Sequence, residues 1–215
     1  MRTSVMFNNS TELNRHTNNI GVFGGTFNPV HLGHIYLAKY VRQEYSLNKI
    51  VFLPTGNPPH KTDILDKEHR FAMLELAIKG CNYLIPSRLE FNRQGITYTV
   101  DTLNLLQQQI KNGKIFYIIG SDTLFELYTW RDIDKIFELC EFICVIRGED
   151  DLGEIGQTIN TYYRATQKTI HLSTAIVPNI SSADIRQRIK NNKSTEGMLD
   201  PLVEEYIKIN GIYVS

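Results

Sequence analysis

Apolar residues along this chain fall into two alternating patterns. Unbroken runs at 20–23, 49–54 (Lys-Ile-Val-Phe-Leu-Pro), 83–85, 114–119 (Lys-Ile-Phe-Tyr-Ile-Ile) and 142–146 are short and continuous. Several stop at Gly or Pro, which is the signature of strands buried on both faces. Between the runs, apolar positions recur every three or four residues. Ile35, Ala38 and Val41 do so within 32–45, and Phe71, Leu74 and Ile78 within 66–79, with Gly80 just beyond. Val100, Leu103, Leu106 and Ile110 follow, stopped by Gly113, and 133–139 repeats the pattern. These stripes predict helices with one buried face. Five strands alternate with four helices, so the fold class is α/β, a doubly wound parallel sheet covered on both sides.

Beyond the fifth strand the pattern weakens. Residues 148–156 are acidic and read as a loop, 159–166 as a helix, and 170–172 and 175–177 as short strands. A helix over 184–190 is opened by Ser181-Ser182. Another starts at Asp200-Pro201, with a cap residue and a proline at its first position, and Gly211 ends it near 209. These pieces form a small C-terminal helical section of the same domain. Residues 1–19 are polar and lack an apolar centre, so they are expected to be a disordered extension ahead of a single domain over 20–215.

Composition changes this picture little. Apolar content of 42% and charged content of 21% are those of an ordinary soluble globular protein. Lysine plus arginine equals aspartate plus glutamate at 23 each, so no global field favours nucleic acid or an anionic membrane. Cys81, Cys140 and Cys144 have no paired spacing, which fits a reducing cytoplasm and argues against a zinc site. No apolar run reaches the ~18 residues needed to span a bilayer.

The chemistry concentrates after the first strand, in Gly21-Val-Phe-Gly-Gly-Thr-Phe-Asn-Pro-Val-His-Leu-Gly-His34. Strand, glycine turn and helix in that order make an anion site, because the first amides of a helix lack partners. Gly24 and Gly25 are expected to let the backbone take strained angles and admit a phosphate. His31 and His34, three apart, should share one face of the first helical turn. The stretch has neither the Gly-Lys-Ser/Thr of a P-loop nor Gly-x-Gly-x-x-Gly. A second candidate is Ile180-Ser-Ser-Ala-Asp-Ile-Arg186, where hydroxyls and amides at a helix start are followed one turn later by an arginine. An ordinary serine cap would look the same. Gly24, Thr55 and Gly120 each follow a strand, so the candidates converge on the carboxyl edge of the sheet, where such folds bind ligands.

The first stretch resembles the His-x-Gly-His motif of the nucleotidyltransferase superfamily, and the whole of it is similar to bacterial nicotinate mononucleotide adenylyltransferases. Pro58-Pro59-His60-Lys61, Tyr98-Thr-Val-Asp-Thr102, Gly120-Ser-Asp122 and Trp130-Arg131 extend the resemblance from about Ile20 to the C-terminus. Ala183 replaces a usual threonine and Asn28 a usual aspartate. The resemblance implies a Rossmann-like nucleotidyltransferase fold and transfer of AMP from ATP to nicotinate mononucleotide. It implies that ATP is bound by Gly24, Gly25, Thr26, Phe27, His31, His34, Gly120, Asp122, Ser181, Ser182, Ile185 and Arg186. It also implies that Thr26, Lys61, Thr99, Trp130, Arg131 and Arg147 bind the mononucleotide, Trp130 by stacking on the pyridine ring.

His31, His34 and Arg186 are the expected catalytic groups, cancelling charge on the phosphates. No protein metal site is expected, and Mg²⁺ should arrive with ATP, held by phosphates and water. Nicotinamide mononucleotide or phosphopantetheine as the acceptor, or a nucleotide sensor without turnover, are the rival readings.

Overall fold

The computed structural model describes residues 18–56, 64–93, 95, 97–110, 112–146 and 150–214. Six strands build one sheet: β1 (Ile20–Gly25), β2 (Lys49–Pro54), β3 (Leu84–Pro86), β4 (Ile115–Gly120), β5 (Glu141–Val145) and β6 (Ile170–Ser173). All pairings are parallel, in the order β3-β2-β1-β4-β5-β6. The chain winds outward from β1 through β2 to β3, then returns to the other side of β1 with β4. The switch point therefore lies between β1 and β4, and a crevice opens there at the carboxyl edge.

Because side chains alternate along a strand, each strand feeds two cores. On one face Phe23, Ile50, Phe52, Phe116, Ile118, Ile143 and Val145 pack against α1 (Leu32–Glu44), α2 (Lys67–Ala77), α7 (Ser182–Lys190) and α8 (Pro201–Ile209). On the other, Val22, Val51, Leu53, Tyr117, Ile119, Phe142 and Cys144 meet α3 (Thr99–Gln109), α4 (Ser121–Glu126), α5 (Ile133–Leu139) and α6 (Leu152–Thr166). The doubly wound parallel sheet expected from the runs and stripes is the observed architecture. None of the described helices is long and apolar enough to cross a membrane.

Gly120-Ser-Asp122 opens α4, which is followed by a 3₁₀ turn at Leu127–Thr129. Three local readings need correction. The supposed loop before 156 is helical from Leu152, because the Asp151 carboxylate accepts from the amides of Gly153 and Glu154 and caps α6. Residues 175–177 form no strand, since the sheet ends at β6 and Ile176 stands 86% exposed. Asn18 and Asn19 belong to the packed fold: Asn18 is buried and donates its amide to the Asn112 carbonyl, and Asn19 accepts from Asn48 N–H. Residues 1–17 lie outside the described residues.

Candidate active site

β1 stops at Gly25 and the chain turns through Thr26, Phe27, Asn28 and Pro29 into α1. The two glycines serve packing rather than strained backbone. Neither has a positive φ. A Cβ on Gly24 would stand 2.4 Å from the Tyr117 hydroxyl oxygen, and one on Gly25 3.0 Å from the Phe27 ring. The left-handed residue is Phe27, with φ of 49°. Its ring is buried and lies edge-on to the His34 ring at 5.1 Å.

His31 caps α1 and His34 is its third residue. Their rings stack at 3.6 Å with 26° between planes, so the two imidazoles do share one face. The His31 N–H donates to Nδ1 of His34 at 3.2 Å. That bond puts the lone pair on Nδ1 and the proton of the neutral imidazole on Nε2, which makes His34 a donor at its outer nitrogen. The start of α1 is less open than the sequence implied. The Leu32 amide donates to the Met198 carbonyl at 2.9 Å, and the His34 amide turns back to the His31 carbonyl. The Gly33 amide lies between them, outside the helix's own ladder.

His31, Gly33 and His34 line a cavity of about 240 Å³ together with Ser181 and Ser182. Phe23, Leu37, Val145 and Val177 add apolar wall. The two stretches singled out in the sequence, some 150 residues apart, therefore face one space. Ser181 is the cap of α7, and its hydroxyl accepts from Asp184 N–H at 3.1 Å. The amides of Ser182 and Ala183 stay outside that helix's ladder. The Ser182 hydroxyl donates to the Pro29 carbonyl at 2.8 Å, and Arg186 Nη1 to the Asn28 carbonyl at 2.8 Å. Arg186 is thereby fixed beside the turn that precedes His31. Ile185 is a core residue with no exposed surface, so its side chain holds the helix in place.

The remaining residues sort themselves around Tyr117 on β4. Its hydroxyl lies against Gly24 and hydrogen-bonds the Thr99 side chain. Burial, then the nearby Glu90 carboxylate, pushes this phenol above its ordinary range. Trp130 packs edge-on to Tyr117 at 5.8 Å and to Phe142 at 6.2 Å, half-buried against the core. Thr99 and Trp130 thus gather on the α3 side of the sheet. Arg131 is exposed, with its guanidinium 4.6 Å from the centre of the Tyr98 ring. Gly120 caps α4, Asp122 lies exposed in its first turn, and Gly120 pairs with Val145 on β5. Lys61 and Arg147, with Pro58, Pro59 and His60, lie outside the described residues.

Sequence reasoning missed two kinds of participant. Val145 and the Val177–Ile180 segment line the cavity because β5 ends there, a signal that strand order alone carries. Arg70 and Glu90 are buried polar residues behind the turns, and nothing in their sequence neighbourhood marks them.

Comparison with known proteins gives the family and the fold. The cytidylyltransferase-like family model matches residues 22–188. A probable nicotinate-nucleotide adenylyltransferase of Moorella thermoacetica is 38% identical, over 90% of this chain and 91% of the relative. One from Desulfitobacterium hafniense is 36% identical, over 90% and 95%. The structure of Plasmodium falciparum nicotinic acid mononucleotide adenylyltransferase complexed with NaAD shares the fold, with a TM-score of 0.76 at 19% identity, covering 92% of this chain and 98% of that one. The chain belongs to the cytidylyltransferase-like family and, within it, to the nicotinate-nucleotide adenylyltransferases.

Proposed function

We propose that this protein transfers AMP from ATP to nicotinate mononucleotide, giving nicotinate adenine dinucleotide and pyrophosphate in the biosynthesis of NAD. Its relatives at 38% and 36% identity bear that activity in their names. The observation that carries the reading is the shared cavity: both histidines of the first turn and both serines of the α7 start face the same 240 Å³.

The attacking group is the 5′-phosphate of the mononucleotide, mostly dianionic at neutral pH because its second pKa is ~6. Its oxygen forms a bond to the α-phosphorus, and the bond from that phosphorus to the bridging oxygen of pyrophosphate breaks. No proton has to be removed from the nucleophile, so no general base is required. The work left for the protein is in-line positioning and neutralisation of charge on the α-phosphate and on the departing pyrophosphate. His34, donating from Nε2, and His31 stacked on it are assigned to the ATP phosphates. The amides of Ser182 and Ala183 and the guanidinium of Arg186 are assigned to the pyrophosphate. Leu37, Val145 and Val177 offer an apolar surface to the base. Trp130 and Thr99, gathered at Tyr117, are assigned to the mononucleotide.

Among the described residues no three His, Cys, Asp or Glu side chains cluster as a metal cage. Mg²⁺ is assigned to the substrate as MgATP, held by phosphate oxygens and water. A cytoplasmic location is part of the same reading, and the balance of 23 cationic and 23 anionic side chains suits small-molecule substrates.

The test incubates the protein with ATP and Mg²⁺ plus nicotinate mononucleotide, nicotinamide mononucleotide or phosphopantetheine, and follows pyrophosphate. Release with nicotinate mononucleotide at least tenfold faster than with the others is the expected result. Preference for either of the other acceptors overturns the assignment.

A further inference from the structure

Arg70, in the first turn of α2, is 1% exposed, and among the described residues every hydrogen bond of its side chain goes to a backbone carbonyl. Nη1 donates to Thr26 at 2.8 Å, Nη2 to Thr55 at 2.9 Å and to Gly56 at 3.3 Å, and Nε to Leu65 at 3.0 Å. Among the described residues no carboxylate pairs with it within 4 Å. Desolvation by burial pushes this guanidinium below its ordinary pKa. The Asp66 charge favours the cation from a distance, but a buried guanidinium held by carbonyls remains costly, and a hydrophobic residue would pack here more cheaply. Such a cost points to a use.

That use follows from what the carbonyls belong to. Thr26 sits in the turn after β1 and Thr55-Gly56 in the turn after β2, the two turns on one side of the switch point. In a trans peptide the C=O and the next N–H point in opposite directions. Holding the Thr26 carbonyl therefore fixes where the Phe27 N–H points, four residues before the first cavity histidine, His31. The Thr55–Gly56 peptide shows the same logic from both sides. Its carbonyl is taken by Arg70, and its N–H is directed at Glu90 Oε2, 3.4 Å away. Glu90 is itself buried and receives the Thr97 and Thr102 hydroxyls at 3.1 and 3.3 Å. Thr102 belongs to α3, the helix that Thr99 opens. The peptide is clamped between a buried arginine on α2 and a buried glutamate ahead of α3.

We propose that Arg70 is a positioning residue of adenylyl transfer, locking the β1 and β2 turns to each other so that the phosphate-side groups and the acceptor-side groups hold one register. This inference rests on the adenylyltransferase reading. It differs from a plain stability role in what it predicts for turnover. A displacement of about 1 Å in such a frame costs about 10²-fold in rate while both substrates still bind.

The experiment first measures pyrophosphate release by the unaltered protein. Absence of activity there counts against the proposed function and not against the role of Arg70. With activity in hand, Arg70→Ala and Arg70→Lys are purified, and their folding is checked by circular dichroism and thermal melting. Lysine keeps the charge and the stem but cannot span carbonyls of three segments. In the folded variants kcat is expected to fall about 10²-fold for alanine and about tenfold for lysine, with KM for ATP moving less than about threefold. Millimolar guanidinium chloride is expected to restore at least tenfold of the alanine variant's kcat, and sodium chloride at equal ionic strength to restore none. Folded variants with kcat within threefold of the parent overturn the proposal. So does a loss that guanidinium leaves unrescued. Failure of both variants to fold also overturns it, because the residue then serves the fold alone.

Discussion

His34 is held in place before any ligand arrives. His31 stacks on it, Phe27 and Phe23 flank it at 5.1 and 5.8 Å, and the His31 N–H fixes its tautomer. A donor so confined loses little entropy when charge develops opposite it, which is the condition for electrostatic preorganisation. His34→Ala is accordingly expected to lower kcat at least ~10²-fold at saturating substrates, read as pyrophosphate release. A fall of under threefold would remove the residue from the charge-stabilising set. Glu90 shows the opposite economy, a carboxyl whose burial raises its pKa despite hydrogen bonds from Thr97, Gly56 and Thr102 and the Arg93 charge. A raised pKa means the folded chain binds this proton more tightly than the unfolded one. The stability it contributes is complete below the unfolded value of ~4.3 and fades as pH rises through the folded one. Glu90→Gln removes that dependence and keeps the contacts, because Thr102 can turn its hydroxyl to the Tyr98 carbonyl at 3.3 Å. The variant's melting temperature, measured against the parent's, should therefore gain more at pH 8 than at pH 5. An equal difference at both pH values would refute the argument.

Elements are fastened to one another by similar means. Glu44, in the last turn of α1, accepts from the Ser173 and Thr174 hydroxyls at 2.5 and 2.6 Å and from Thr174 N–H at 2.8 Å, tying that helix to the end of β6. Burial acts to raise its pKa, but these bonds outweigh it and the net shift is downward. A depressed carboxylate contributes stability above its unfolded pKa and loses it as pH falls through the folded one. Glu44→Gln should thus destabilise the protein in urea at pH 7, by under about 1 kcal/mol once solvent screening is counted, and the gap should narrow as pH falls from about 5 to about 3. Elements with long runs or clear stripes were readable from sequence, and those that escaped did so for visible reasons. In α4 Leu124 is buried while Phe125 stands 42% exposed, so a six-residue helix leaves no periodic stripe. In α6 the stripe of Ile155, Ile159 and Tyr162 is present, but Gly153 and Gly156 mask its first turn. The Ala175-Ile-Val177 run mimics a strand, yet it has no sheet neighbour and Val177 instead lines the cavity.

At the scale of the whole molecule, the site exists because the winding order brings the β1 turn and the α7 start to one edge. Motif spacing pointed to both His31–His34 and Ser181–Arg186, and the parallel sheet explained their meeting. What spacing could not convey is who holds the turn. Its supports are backbone carbonyls and distant donors, and a carbonyl has no residue signature. The farthest of these supports is Tyr213, whose hydroxyl donates to Asn28 Oδ1 at 2.6 Å across 185 residues of sequence. Asn28 then has its side chain held by Tyr213 and its carbonyl by Arg186. Burial drives the Tyr213 phenol above its ordinary pKa, partly offset by Arg186 and Arg70, so at neutral pH it stays a protonated donor. The last residues of the described chain therefore close the fold and brace the first turn at once. Tyr213→Phe keeps the ring and deletes that single donor. It should lower unfolding stability in urea by about 1 kcal/mol, the ordinary worth of one such bond. The same change should raise KM for ATP, because Asn28 loses one of its two restraints beside Arg186, and leave KM for the mononucleotide unmoved. Equal shifts in both KM values would mean that the tail acts on the fold as a whole and not on the phosphate turn.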